Sequence, residues 1–261
     1  TEIYTLSLHD ALPIFFLSIG VAFILAIGLI FVLSEDPKTT LFCYFLGPFM
    51  DRFTFFNMLA ASIPLIFSGL GMAIAFQSGV VNLGGEGQIF SGAMICLIVG
   101  TALPSLPKFI GIPLILLSSI LFCGFLAGIS GYLRKRWNVS DLLSTYLISM
   151  GIVSVINFLI LGPLRDTNKI TIQSISLPSS YLLKRIMLPS YLNTGIILAL
   201  LVAVGLHFFM YRTHRGYELR VTGSNRDFAR YAGIHVGKYY LIPMFLSGGV
   251  IGLGGAIEVV G

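Results

Sequence analysis

The sequence predicts an all-α fold, a polytopic bundle of about seven membrane-spanning helices, and three observations carry that expectation. Hydrophobic residues fill 56% of the 261 positions and charged residues 10%, whereas soluble domains hold roughly 25% charged residues. Mean hydropathy is +0.93. The apolar residues also fall in successive blocks of about 20, the length of a helix that crosses a bilayer. One membrane domain over residues 14–261 is expected. The formal net charge of +5 reads as Lys and Arg kept on cytoplasmic loops, and no nucleic-acid partner is inferred from it.

The opening stretch, TEIYTLSLHDALPI, differs in character from the rest of the chain. It resembles read-through of sequencing-adapter DNA, so residues 1–13 are set aside as a non-native segment. Ile14 to Leu33 is a first span, stopped by Ser34-Glu35-Asp36-Pro37. Thr39 to Met50 is apolar but short and broken by Gly47-Pro48, which suits an interfacial or re-entrant helix. Thr54 to Phe76 is the second span, with a kink expected at Pro64. Ile89 to Leu103 is the third, bounded by Pro104 and Pro107. Ile110 to Leu133 is the fourth, with Gly124, Gly128 and Gly131 near the small-xxx-small spacing of closely packed membrane helices.

Arg134-Lys135-Arg136 comes next as a topological anchor. Asp141 to Leu161 is the fifth span and opens with Asp141, Ser144 and Thr145 on roughly one helical face. A polar connection, Gly162 to Leu192, leads to a sixth span, Thr194 to Met210. The most charged block, Tyr211 to Tyr240, precedes a glycine-rich seventh span, Leu241 to Val260. The two dense basic clusters, Arg134–Arg136 and Arg212–Lys238, are separated by two spans and so share a side, assigned to the cytoplasm. The N-terminus is then cytoplasmic as well.

Chemistry-bearing patterns are few. Cys43, Cys96 and Cys123 are far apart, without a CxxC, and read as small buried hydrophobes. The four histidines, His9, His207, His214 and His235, form no metal-spaced set, and no cofactor is expected. A GxxxxGK[ST] phosphate loop, an HExxH and a GxSxG are all missing from the sequence, so an enzyme is not expected. Phe76 to Gln88, FQSGVVNLGGEGQ, is a glycine-dense break beside one carboxylate. An ionisable residue there is a functional candidate in a membrane protein. The alternative is a plain turn with Glu86 at the positively polarised start of the next helix.

In the charged block, Asn225 or Ser224 suits the N-cap of a short helix through Asp227, Phe228, Arg230 and Tyr231, with Gly233 ending it. Docking of a soluble partner and an ordinary loop on anionic lipid are both open readings of that composition.

Two stretches carry a family resemblance. SGLGMAIAFQSGVVNLGGEGQIFSGA, Ser68 to Ala93, and the block from Arg212 to Gly261 resemble the membrane permeases of the branched-chain amino acid, ribose and nucleoside group of bacterial ABC importers. NVSDLLSTYLIS, Asn138 to Ser149, and LGPLRD, Leu161 to Asp166, fall in the matching order. The N-x-G-x-E-G-Q wording is nearest the nucleoside branch. Gln77 stands where a basic residue is frequent in the family and Gly85 where Ala is.

The resemblance implies a type II-like importer permease in a bacterial cytoplasmic membrane, handing nucleosides from a substrate-binding lipoprotein to the cytoplasm. A second permease subunit, homologous or identical, completes the pathway, and a separate ABC ATPase subunit hydrolyses ATP. Amides, a carboxylate and an aromatic ring can match the donors, acceptors and flat ring of a nucleoside, so Phe76, Asn82, Glu86 and Gln88 are the candidates to border the substrate pathway, with a structural role for Glu86 at the start of the third span as the alternative. Segment 212–240 would be the cytoplasmic coupling segment, with Arg220, Asn225, Arg226, Asp227, Arg230, Tyr231 and Gly233 meeting the ATPase. Family members continue beyond this point, so a C-terminally truncated chain is expected. A permease for a monosaccharide or amino acid is the alternative, and an ion-coupled secondary transporter is the alternative of another class.

Overall fold

The computed structural model describes residues 8–167 and 169–261. Segment 1–13 therefore lies largely outside the described residues, only residues 8–13 entering a helix. The described residues form helices and connecting turns, with two isolated β-bridges and no strand. Seven helices are long and apolar enough to cross a membrane, so the chain is an all-α polytopic membrane protein. It falls into two compact units, Thr1–Met58 and Leu59–Gly261.

The first unit holds α1 (Leu8–Leu33), α2 (Pro37–Phe45), α3 (Gly47–Met50) and the opening of α4 (Arg52–Gln77). Asp36 caps α2: its carboxylate accepts from the Thr39 amide at 3.3 Å and the Thr39 hydroxyl at 2.6 Å. Pro37 stands at the first helical position, where its missing N–H costs nothing. The short apolar stretch is thus two helices parted at Leu46, as the Gly47-Pro48 break predicts. Cys43 corrects an expectation, for it lies exposed on α2, whereas Cys96 and Cys123 are buried.

The second unit contains the rest of α4, then α5 (Gly85–Ala102), α6 (Lys108–Trp137), α7 (Asp141–Leu161), α8 (Gly195–Arg212), α9 (His214–Ser224), α10 (Arg226–Tyr231) and α11 (Leu241–Val260). α4 runs unbroken through Pro64. α11 is central: it packs most extensively against α6 and then α5, and most of its length is buried. Small residues permit this, because in a bilayer helices associate through close packing rather than by leaving water. At Gly92 of α5 a Cβ would collide with the Gly252 carbonyl of α11, so the two backbones meet directly.

Two boundaries and one connection differ from the sequence expectation. α5 begins at Gly85 and not at Ile89, which makes Glu86 and Gln88 helical. α6 extends through Arg134–Arg136 to Trp137, where cations favour the negative end of the helix dipole, and Asn138 at φ 54 ends it. The 162–192 connection is more than a polar loop. Its Tyr181 is fully buried against Cys96, Ile115, Ala256 and Val260, and the phenol donates to the Leu103 carbonyl.

Candidate functional site

The turn between α4 and α5 is built around one side chain. Asn82 is completely buried, and every hydrogen-bonding position of its amide is used. Its Nδ2 donates to Gln88 Oε1 at 2.9 Å and to Ser247 Oγ at 2.8 Å. Its Oδ1 accepts from Gln88 Nε2 at 3.0 Å and from the Gly84 amide at 3.0 Å. Two donors and two acceptors are what an amide offers, so this pair of amides is closed upon itself. Buried polar groups in a low-dielectric interior persist only when satisfied in this way. The network ties the turn to α5 and to α11.

The polar face of α7 completes the turn. A helix start leaves N–H groups without intrahelical partners, and α5 has no side-chain cap of its own. Thr145 Oγ1 instead accepts from the Leu83 amide at 3.1 Å, and Ser149 Oγ from the Gly87 amide at 2.8 Å. Asp141, one turn before Thr145, is buried and paired with Arg134 at the end of α6. The polar patch seen in the sequence therefore anchors α7 to α6 and braces the turn. Cys123 of α6 adds an S–H contact to the Gln88 carbonyl at 3.2 Å.

Gly79 opens the turn at φ +68, a conformation that glycine adopts without a Cβ penalty. It lies against Gly223 of α9, and a Cβ there would stand 2.9 Å from the Gly223 Cα. Arg226, the first residue of α10, donates from Nη2 to the Gly79 carbonyl at 2.7 Å. Its guanidinium also sits 4.8 Å from the Tyr240 ring centre, with Arg134 5.1 Å from the same ring. The charged block is thus fastened to the glycine-rich turn.

α10 itself is short and capped by Asn225, not Ser224. The Asn225 side chain accepts from the Asp227 amide at 3.0 Å and the Phe228 amide at 2.9 Å. Gly233 follows the helix at φ +79. Ala229 is buried, whereas Phe228 and Tyr231 are 57% and 93% exposed. Arg230 and Asp227 pair at 3.2 Å on the exposed side. Arg220 of α9 faces elsewhere, donating from Nε to the Met210 carbonyl at 3.1 Å and lying over the Tyr211 ring at 4.7 Å.

Of the four pathway candidates, Asn82 and Gln88 are in contact, whereas Phe76 and Glu86 are exposed and outside the amide network. Glu86 lies in the first turn of α5, where its charge suits the helix dipole, and no side chain caps that helix by hydrogen bond. Ser149, Ser247, Gly223 and Tyr240 lie within the family-like stretches, yet nothing in the sequence singles them out as site residues except for Ser149, which lies four residues after Thr145 on the same helical face. No group of three metal-ligating side chains occurs among the described residues.

The family described as branched-chain amino acid transport system / permease component matches residues 54–261. The chain belongs to this family. The matched region takes in the turn, its braces on α7 and α11, and the α9–α10 block. Among curated relatives, the guanosine ABC transporter permease protein of Bacillus subtilis is 37% identical over 202 residues, 76% of this chain and 57% of the relative. The glucose ABC transporter permease protein of Haloferax volcanii is 28% identical, over 88% of this chain and 63% of its own. A nucleoside ABC transporter permease protein of Lactococcus lactis is 26% identical, over 74% and 56%. The chain thus spans 56% to 63% of the length of these three relatives. No solved structure matches it.

Proposed function

We propose that this chain is the membrane-spanning permease subunit of an ATP-binding cassette importer that moves nucleosides into the cytoplasm. The observation that carries the reading is the joint between α10 and the glycine-rich turn. A short helix with an exposed aromatic and charged tip, Phe228, Arg230 and Tyr231, is a docking element for a soluble protein. Arg226, at its other end, grips Gly79. Movement imposed on the tip is thereby passed to the turn, and through Asn82 to the starts of α5 and α11.

In this reading an ABC ATPase subunit docks on α10 and supplies the hydrolysis, a second permease subunit completes the pathway, and a binding lipoprotein delivers the substrate. The basic clusters at Arg134–Arg136 and Arg212–Lys238 face the cytoplasm of a bacterial inner membrane, with the N-terminus on the same side. Phe76 and Glu86 are the candidates to meet substrate, and Asn82 and Gln88 serve by holding the turn. Nucleosides are favoured because the 37% identical relative is a guanosine permease; the glucose permease at 28% supports a monosaccharide as the second reading.

Uptake of tritiated guanosine and of labelled glucose by a strain expressing the complete operon, and lacking its own importers for both, tests the assignment. Guanosine uptake that stops on ATP depletion is expected. Glucose uptake without guanosine uptake would install the second reading, and uptake surviving ATP depletion would point to an ion-coupled carrier.

A further inference from the structure

The facing sides of α4 and α8 line an open cleft of about 240 Å³. We propose that it is a binding subsite for a flat, uncharged nitrogen heterocycle, with His207 and Tyr211 as a stacking wall and Gln77 reading the ring edge. The proposal rests on the nucleoside reading above and deepens it by locating where the base is held.

The cleft is built from two regular stripes. Leu70, Ile74 and Gln77 follow one another at helical spacing along one face of α4, and Ala203, His207 and Tyr211 do so on α8. Residues at such spacing share a face, so each helix presents an apolar wall with polar groups toward its C-terminal end. The His207 and Tyr211 rings lie 4.9 Å apart, tilted by 33°. Among the described residues, no hydrogen bond uses the Gln77 amide, the His207 imidazole or the Tyr211 hydroxyl. Three free hydrogen-bonding groups on otherwise apolar walls match the usual make-up of small-molecule sites, whose volumes start at roughly 300 Å³ for drug-sized ligands. A single base is smaller than that.

Charge decides the class of ligand. No carboxylate lines the cleft, so a cation would lack a counter-ion. Arg220, beside Tyr211, has its guanidinium over that ring and its Nε on the Met210 carbonyl. A sugar alone would need more polar partners than three side chains provide, whereas a heterocycle packs its face against the His207–Tyr211 ring pair and hydrogen-bonds through its edge. Arg220 also joins this wall to α9, so the block that carries α10 holds one side of the cleft.

The test uses the full-length protein with its ATPase and binding protein in proteoliposomes. Tritiated guanosine uptake is measured for the wild type, Gln77→Ala, Tyr211→Ala, Tyr211→Phe and, on another side of α8, Phe208→Ala. Gln77→Ala and Tyr211→Ala should each raise KM at least tenfold with insertion and ATPase association unchanged. Tyr211→Phe should stay within about threefold, and Phe208→Ala should match the wild type. Photolabelling with 8-azidoguanosine should mark segments 70–77 or 203–211. Wild-type uptake together with unchanged KM in Gln77→Ala and Tyr211→Ala would overturn the cleft and leave the nucleoside assignment standing. A wild type that takes up no nucleoside would remove that assignment, and the ligand proposed for the cleft with it.

Discussion

Arg226 and Gly79 are 147 positions apart in the chain, yet the guanidinium of one donates to the carbonyl of the other at 2.7 Å. The acceptor is a backbone group in the glycine-rich turn, and the donor is the first residue of the exposed helix α10. Arg226→Ala removes a charge-assisted bond worth about 1.5–3 kcal/mol together with the stacking on Tyr240. Uptake should fall at least tenfold while the ATPase still co-purifies, and Arg226→Lys should recover only part of it, since an ammonium lacks the planar fork. Loss of ATPase co-purification in Arg226→Ala would place Arg226 on the docking surface instead.

Asn82 has no spare capacity. Truncating it strands the Gln88 amide, the Ser247 hydroxyl and the Gly84 N–H, and each stranded buried group costs about 1–3 kcal/mol. Asn82→Ala should therefore lower the melting temperature of the purified protein by at least about 5 °C, whereas Leu83→Ala, on an exposed residue of the same turn, should shift it little. Equal melting temperatures for the two would contradict the structural role given to Asn82.

Two glycines of α5 should behave oppositely. A methyl at Gly92 meets the α11 backbone, which has no side chain to swing aside, whereas at Gly85 nothing lies within 4 Å. Gly92→Ala should cost about 1–3 kcal/mol or more. Gly85→Ala should be neutral or stabilising by up to about 1 kcal/mol. Thermal denaturation of both variants in one detergent decides the matter.

The hydroxyl braces on α7 predict a graded response. Ser149→Ala leaves the Gly87 amide without its acceptor, at a cost of about 0.5–2 kcal/mol; Thr145→Val does the same to Leu83, whereas Thr145→Ser keeps the oxygen. Faster amide exchange confined to the start of α5 in Ser149→Ala and Thr145→Val, and absent in Thr145→Ser, is the expected pattern.

In the first unit, bonds from the Thr39 hydroxyl and then the Thr39 amide hold the Asp36 carboxyl below the ordinary carboxylate range. A depressed folded value means that the contribution is fully present above the unfolded pKa and is lost as pH falls through the folded one. The α2 start should loosen on acidification below the ordinary carboxylate range. Asp36→Asn, which caps without titrating, should abolish that pH dependence in exchange rates corrected for intrinsic chemistry.

Legibility of the sequence varied with the range of the interaction. The α10 cap was readable because Asn225 bonds to amides two and three positions away. The start of α5 lies one turn before Ile89, where hydropathy alone opens the span, and agrees with the reading that sets Glu86 at a helix start. Gly84 to Gln88 is too polar and glycine-rich to register as a span, and its first turn is braced by Ser149 of α7. Tyr181 was hidden in a polar, proline-bearing connection, and its burial comes from packing against α5, α6 and α11 that carries no local signal.

By itself the sequence determined the seven apolar helices, since bilayer length and hydropathy act on each segment alone. It also determined the family wording of the glycine-rich turn and of the α9–α10 block. Tertiary structure alone decided that these two stretches touch, and that Asn82 spends its amide on Gln88, Gly84 and Ser247 while Glu86 stays exposed. The physical reason is that hydrogen bonds and backbone-to-backbone packing depend on which helices come within about 3 Å of one another, and positions 79 and 226, or 82 and 247, share no local pattern that would announce it.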